Sequence, residues 1–311
     1  MTVRCFRIPL RHRFRQLDVR EGILVHGPSG WGELSPFADY SEELTKRCLA
    51  SALEAAGGTW PPARRASIPV NVTVPAVEPE RAHAIVIRSG CTTAKVKVAD
   101  GDDEARVEAV RDALGPLGHI RVDANGAWGV DDAAARIARL ARHGLEYVEQ
   151  PVASLGDMAR VRTMVDVPLA VDESIRTAED PLLVKALGAA DVVVLKVQPL
   201  GGVRAALQVA EACGLPVVVS SALETSIGLS AGLALAAALP ELPYACGLGT
   251  AALLEGDVVA DPLVPVEGGV EVRRPEVDES CLRRYETSIE QTGEWTRHLA
   301  QLASEASEWP R

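Results

Sequence analysis

Eight short runs of β-branched and apolar residues recur through the middle of the chain at nearly constant spacing. They are Val70-Asn-Val-Thr-Val74, Ala94-Lys-Val-Lys-Val98, Ile120-Arg-Val-Asp123, Tyr147-Val-Glu149, Leu169-Ala-Val-Asp172, Val192-Val-Val-Leu-Lys196, Val217-Val-Val-Ser220 and Pro243-Tyr-Ala-Cys246. Their starts lie 24, 26, 27, 22, 23, 25 and 26 residues apart. Between most of them runs an amphipathic stretch of helical character, such as Asp103 to Leu114 or Asp131 to Arg142, often introduced by Asp and closed near Gly. Strand, helix and strand at this period is the rhythm of βαβ units, and eight parallel strands are the number that closes a barrel. A doubly wound open sheet would carry a glycine fingerprint after its first strand, and Val74-Pro-Ala-Val-Glu78 is not one.

Two segments fall outside this rhythm. Residues 1–67 hold the alternating run Gly22-Ile-Leu-Val-His26, the turn-rich Gly30-Trp-Gly-Glu-Leu-Ser-Pro36 and a helix expected from Glu42 to Ala56. Residues 251–311 hold Ala251-Ala-Leu-Leu254, a Gly/Pro/Asp-rich stretch with short strands, and a polar helix through Gln301. The expected architecture is α/β: a TIM-like barrel over residues 68–250, with an α+β accessory domain built from both chain ends. Aromatic residues are only 4% of the 311, which favours helices packed closely on β-branched strands over a sandwich. The most apolar stretch, Ile227 to Leu239, is shorter than a bilayer span and carries Gly228, Ser230 and Gly232, so a packed helix is expected and no membrane segment. The N-terminus lacks the charged-then-apolar layout of a signal peptide. Six scattered cysteines without a C-x-x-C pair predict reduced, mostly buried thiols in a cytoplasmic protein. The net charge of −11 disfavours nucleic acid as a partner and requires any small anionic carboxylate substrate to find a locally positive site.

In a parallel barrel the C-terminal strand ends converge on one mouth, where active sites lie. Those ends read Lys97, Asp123, Glu149, Asp172, Lys196 and Ser220. Charges packed into one mouth are desolvated at large cost unless they neutralise something. Asp123, Glu149 and Asp172, on consecutive strands, suit a hard divalent cation, Mg²⁺ with Mn²⁺ as a substitute. The absence of His or Cys at these ends argues against zinc. Lys97 and Lys196 lie four strands apart in a ring of eight and so face each other. Lys95 shares the inward face with Lys97 and is expected to lower its pKa by like-charge repulsion. A simpler alternative is that Lys95 and Lys97 merely pair with Asp123 or Glu149. A base beside a cation predicts removal of a proton next to a carboxylate, with the resulting enediolate held on the metal.

Lys95-Val-Lys97, Val122-Asp-Ala-Asn125, Val148-Glu-Gln-Pro151, Val171-Asp-Glu-Ser174 and Leu195-Lys-Val-Gln-Pro-Leu-Gly-Gly202 resemble the muconate lactonising subgroup of the enolase superfamily. That resemblance implies a (β/α)₇β barrel with a capping domain formed by both termini. It implies Lys97 as base, Lys196 as the cation on the opposite face, and Asp123, Glu149 and Asp172 as metal ligands. Asn125 is expected to orient substrate or support the ligands, and Glu173 to hold Lys97 or Lys196; either could instead make a simple hydrogen bond within the barrel.

Ser220-Ser-Ala-Leu-Glu-Thr-Ser-Ile-Gly228 is similar to the segment of o-succinylbenzoate synthases where serine and backbone N–H groups receive the succinyl carboxylate, which implies substrate contacts from Ser220, Ser221 and Gly247. The same segment also reads as a helix N-terminus, itself an anion site. Gly247-Leu-Gly-Thr250 is similar to that family's Gly-Leu-Asp-Thr, with Gly249 in place of Asp, and the Asp-x-Asp of dipeptide epimerases is absent from 246–250. The Gly30-Trp-Gly-Glu33 turn is expected to be structural. The basic Arg11-His-Arg-Phe14 falls where the family has a loop that closes over substrate. The expected activity is therefore a Mg²⁺-dependent syn dehydration in menaquinone biosynthesis by a monomer. The alternatives are racemisation or epimerisation of N-acylated amino acids or dipeptides, and a barrel that only binds a ligand.

Overall fold

A computed structural model describes residues 2–15, 17–175, 180–288 and 294–307. The chain opens with three antiparallel strands, β1 (Thr2–Phe14), β2 (Leu17–Gly27) and β3 (Gly30–Leu34), followed by helix α1 (Glu42–Gly57). Helix α1 begins where the Ser41 hydroxyl accepts from the Leu44 N–H and where Glu42 and Glu43 face the positive helix end. Gly32 allows β3 to lie directly on this helix, since a side chain there would collide with the Ala52 carbonyl.

The barrel strands follow β4 (Ser67–Pro69). They are β5 (Val72–Val74), β6 (Thr93–Lys97), β7 (His119–Asp123), β8 (Leu145–Glu149), β9 (Leu169–Val171), β10 (Val192–Lys196) and β11 (Val217–Ser220), parallel and neighbours in that order. The intervening helices are α2 (Pro79–Ser89), α3 (Asp103–Leu114), α4 (Val130–Leu140), α5 (Leu155–Arg162), α6 (Asp180–Leu187), the short α7 (Val197–Leu200), α8 (Val203–Cys213) and α9 (Ser226–Ala238). The main core fills the layer between strands and helices. A small second cluster, Tyr147, Ala170, Val192, Val194 and Val218 against Tyr244, plugs the barrel interior.

The eighth run does not form a full strand. It is reduced to bridges from Cys246 to Val70 and from Gly247 to Ser220. Hydrogen bonds from Cys246 N to Pro69 O (2.7 Å), Asn71 N to Cys246 O (2.9 Å), Gly247 N to Val219 O (2.8 Å) and Ser221 N to Gly247 O (3.1 Å) close the ring. Pro243 lacks a donor, and the Ala245 carbonyl accepts from Arg121 Nη1 inside the barrel (2.6 Å), so neither extends the ladder.

After residue 250 the chain first runs back along the barrel. Leu263 and Val270 join the barrel core, and β12 (Gly269–Glu271) pairs with β4 at the end away from the mouth. It then reaches the N-terminal sheet through α10 (Glu279–Tyr285), β13 (Glu286–Thr287) and α11 (Glu294–Ser307). The C-terminal helix runs past Gln301 and is less polar in effect than expected, because Leu299, Ala300 and Ala303 are buried in the cap core. Among the described residues the six cysteines are free and no helix is long and apolar enough to cross a membrane.

Candidate active site

The period-2 alternation of β6 turns Lys95 and Lys97 into the mouth together, and the parallel register sets Lys97 beside Asp123 and Asp123 beside Glu149. Lys97 Nζ donates to Asp123 Oδ2 (2.5 Å) and to Asn125 Oδ1 (2.7 Å). Lys95 Nζ bridges Asp123 Oδ2 (3.2 Å) and Glu149 Oε1 (3.0 Å). Lys196, at the end of β10, is ion-paired with Asp172. Asn125, at a backbone φ of +48°, also donates to Glu173 Oε1 (3.1 Å), so Glu173 reaches Lys97 through Asn125; it also lies 3.9 Å from Arg15. Lys95 and Lys97 are thus both ion-paired within the mouth, Lys95 with Asp123 and Glu149 and Lys97 with Asp123.

The three carboxylates are at most 1% exposed, and Lys95 and Lys196 are 7% exposed. Burial alone would raise the Asp123 pKa, but Lys97 and Lys95 override it and hold the carboxyl well below its ordinary value. Burial, with Asp123 beside it, pushes Glu149 up to about 7 against the pull of Lys95. Burial would lower Lys95, yet Glu149 and Asp123 keep it charged. Lys97 is lowered chiefly by burial; Lys95 adds to this and Asp123 opposes it. The expected like-charge effect of Lys95 is therefore present but secondary to desolvation.

Among the described residues no three His, Cys, Asp or Glu side chains are turned onto one common point. Each of the three carboxylates is engaged by a lysine instead. The donor set nevertheless fits a hard divalent cation. Asp123, Glu149 and Asp172 offer only oxygen from adjacent strand ends, and the Lys95 ammonium between Asp123 and Glu149 shows that two of them already aim at a point where positive charge can sit.

Ser220, Ser221 and Gly247 line a small cavity of about 30 Å³ together with Lys95, Lys97, Asn125, Lys196 and Thr73. Phe14, Arg15 and Phe37 of the cap complete its wall. A roomier cleft of about 540 Å³ adjoins it, sharing Arg15, Phe37 and Asn125. A larger groove of about 630 Å³ lies between α8 and the end of α9, but its ionisable lining residues are Glu211 and Glu241, which provide no base beside a cation.

The start of α9 is the capped helix N-terminus that was expected, with the Thr225 hydroxyl accepting from Ile227 N, and the anions on it are the protein's own. Glu33 accepts from Thr225 N (3.1 Å), Thr225 Oγ1 (2.5 Å) and Gly228 N (3.1 Å), and Asp257 accepts from Ser226 N (3.1 Å). The protein's own carboxylates fill the positive end of this helix, as helix electrostatics favour. The neighbouring backbone donors are occupied too: Ala222 N donates to Glu224 Oε2 (2.7 Å) and Leu223 N to Ser221 Oγ (3.1 Å). Ser221 is further tied to Thr250 (2.6 Å).

Several site-building residues escaped the sequence reading. Arg20, 3% exposed, donates to the carbonyls of Ser35, Ala222 and Leu223 and stacks on Phe37. Gln198, two residues after Lys196, accepts from Ser35 N (3.0 Å). Arg121 is fully buried under the mouth, bonded to Glu146 (2.5 Å) and stacked on Tyr147. Arg121 carries a legible signal, since it lies two residues before Asp123 and must point inward; Arg20 carries none.

Residues 79–276 match the enolase C-terminal domain-like family model, and residues 5–56 match the enolase N-terminal domain-like model. The chain is 62% identical over 291 residues to the o-succinylbenzoate synthase of Thermobifida fusca (strain YX), covering 92% of each. It is 51% identical over 283 residues to the o-succinylbenzoate synthase of Mycobacterium ulcerans (strain Agy99), covering 89% of this chain and 85% of that protein. The solved muconate lactonizing enzyme from Pseudomonas fluorescens, complexed with muconolactone, superposes with a TM-score of 0.81 at 22% identity over 92% of this chain and 98% of that one, a likeness of fold.

Proposed function

The chain belongs to the enolase superfamily and, within it, to the family of the o-succinylbenzoate synthases, and we propose that it catalyses the reaction for which that family is named. It is a hydro-lyase that removes water from 2-succinyl-6-hydroxy-2,4-cyclohexadiene-1-carboxylate to give 2-succinylbenzoate, in menaquinone biosynthesis. The observation that carries this is the 62% identity to a synthase over 92% of the chain. The two lysines on opposite walls of one buried mouth agree with it.

Asp123, Glu149 and Asp172 would hold a divalent cation, Mg²⁺ or Mn²⁺, which supplies Lewis-acid stabilisation of negative charge on the substrate carboxylate. Lys97, whose pKa is lowered by burial, takes the proton from the carbon bearing that carboxylate. The electron pair left behind is stabilised from the opposite face by the Lys196 ammonium. Lys97 then returns its proton to the departing hydroxyl on the same face as the C–O bond breaks. Water leaves, and the ring becomes aromatic. Asn125, bonded to Lys97 Nζ and to Glu173, keeps the ammonium aimed into the mouth.

The purified protein with Mg²⁺ is expected to dehydrate this substrate, and Lys97→Ala to lower kcat by at least about 10³-fold, as loss of a general base requires. Wild-type inactivity on it, together with deuterium exchange at the α-carbon of an N-acyl amino acid, would sink the assignment in favour of a racemase.

A further inference from the structure

The two lysines that face each other across the mouth leave their strands differently. Lys196 passes directly into α7, whose Gln198 is bonded to the cap. Lys97 is the last residue of β6 and is followed by the irregular stretch 98–102, in which Ala99 takes a φ of +77° and Gly101 one of +74°. A left-handed alanine is a conformation that an L side chain rarely adopts and that its surroundings must enforce.

Those surroundings are a buried ion pair at the start of α3. Arg106, 4% exposed, donates from Nη1 to the Lys97 carbonyl (3.0 Å), from Nη2 to the Asp100 carbonyl (2.8 Å) and from Nε to the Val77 carbonyl (2.7 Å). Its Nη1 also meets Asp103 Oδ1 (3.2 Å). The other oxygen of Asp103 accepts from the Ala99 N–H (2.9 Å) and from Arg136 of α4 (3.4 Å). A side chain at 101 would come within 3.1 Å of Arg106 Nη2, so glycine there gives the guanidinium room. One guanidinium thus ties the last carbonyl of β6 to the loops that follow β5 and β6.

We propose that Arg106 is a positioning residue for the dehydration: through the Lys97 carbonyl, and with Asp103, it fixes the end of β6 so that Lys97 Nζ meets the proton on the carbon bearing the reacting carboxylate. The assignment rests on the proposed activity. Asp123, Glu149 and Asp172 belong to other strands, so a shift of β6 moves the base relative to the groups that would hold the substrate. Such a shift costs chemistry more than binding, since a misplacement of about 1 Å can lower a rate about 10²-fold.

The test uses the full-length protein with Mg²⁺ and reads kcat and KM on the cyclohexadiene substrate, with the affinity and stoichiometry of 2-succinylbenzoate from calorimetric titration. Arg106→Met is expected to lower kcat per product-binding site about 10²-fold, while KM and product affinity stay within about threefold. Arg106→Lys keeps the charge but cannot span three carbonyls, and should recover the loss to about tenfold. Arg111→Met is the comparison. Arg111 lies in the last turn of the same helix and donates to the carbonyls of Gly115, Gly118 and His143, so its loss should lower the urea midpoint and leave kcat per site within about threefold. If Arg106→Met does not fold, Arg106→Lys is read in its place. An unchanged kcat per site in the folded variant overturns the assignment. So does a loss confined to the number of product-binding sites, a weakening of product binding as large as the fall in kcat, or an equal fall in kcat for Arg111→Met, each of which marks a general structural role. A wild type that turns over no cyclohexadiene substrate overturns the proposed activity and this assignment together.

Discussion

The Lys196 and Lys97 sides of the mouth are joined to the cap by different kinds of contact. On the Lys196 side the joint is buried and hydrogen-bonded. Gln198 and Ser35 exchange two bonds, Arg20 holds the Ala222 and Leu223 carbonyls, and Glu33 caps α9. Glu54 of α1 accepts from Val203 N (2.6 Å) and Arg204 N (3.2 Å) at the start of α8, a close approach allowed by Gly202 at φ +125°. On the Lys97 side the β1–β2 hairpin touches the barrel through side chains at its rim: Phe14 lies 5.5 Å from Lys97, Arg15 3.9 Å from Glu173, and His12 2.7 Å from Arg81.

Buried hydrogen bonds to charged groups are worth about 1.5–3 kcal/mol each, and exposed ion pairs about 0.2–1 kcal/mol. The cap is therefore fixed beside Lys196 and loosely held over Lys97. The cavity of about 30 Å³ is far smaller than a substrate of this class. The hairpin over Lys97 is thus the part of the cap whose separation from the barrel breaks the weaker set of contacts.

The largest break in this comparison comes from Arg20→Met. It strips three carbonyls of a buried donor and leaves Glu33 and Glu224 without their nearby cation, at an expected cost of about 3–5 kcal/mol. A urea midpoint that stays at the wild-type value would show that the joint is not fixed there. A smaller effect is expected from Glu33→Gln, read through pH. Burial, with Glu224 nearby, pushes the Glu33 carboxyl from 4.5 up to about 7. A carboxyl raised on folding stabilises the fold fully below its unfolded pKa and loses that contribution as pH rises through the folded one. Stability should thus fall by about 3 kcal/mol between roughly pH 4.5 and 7 through this group, and the glutamine variant should flatten that slope. An unchanged slope would place the titration elsewhere. At the small end, Arg81→Ala removes only an exposed contact with His12. It should leave stability within about 0.5 kcal/mol and change KM rather than kcat; a larger loss of stability would mean that the hairpin side is as firmly joined as the other.

The barrel and its charged mouth were legible because both rest on local rules. A 25-residue period names the βαβ unit, and alternation within a strand names the inward side chain, so Lys95, Lys97, Asp123, Glu149, Asp172 and Lys196 could be placed together from spacing. The same rule reaches Arg121 and Thr73, which were passed over because neither ends a strand. The occupant of the anion site at α9 was not legible, for the opposite reason. A helix start does attract negative charge, but which carboxylate fills it depends on Glu33, 192 residues away in sequence from Thr225.

Sequence alone determined which residues face the mouth, since strand period and parallel direction are properties of short segments. Tertiary structure decided what those residues touch. It reduced the eighth strand to two bridges because Arg121 claims a carbonyl the ladder would have used. It filled the start of α9 from within, and it joined the cap firmly to only one side of the barrel. Those outcomes depend on contacts between distant segments, whose pairing is set by how two chain ends fold over a barrel and not by the residues around them.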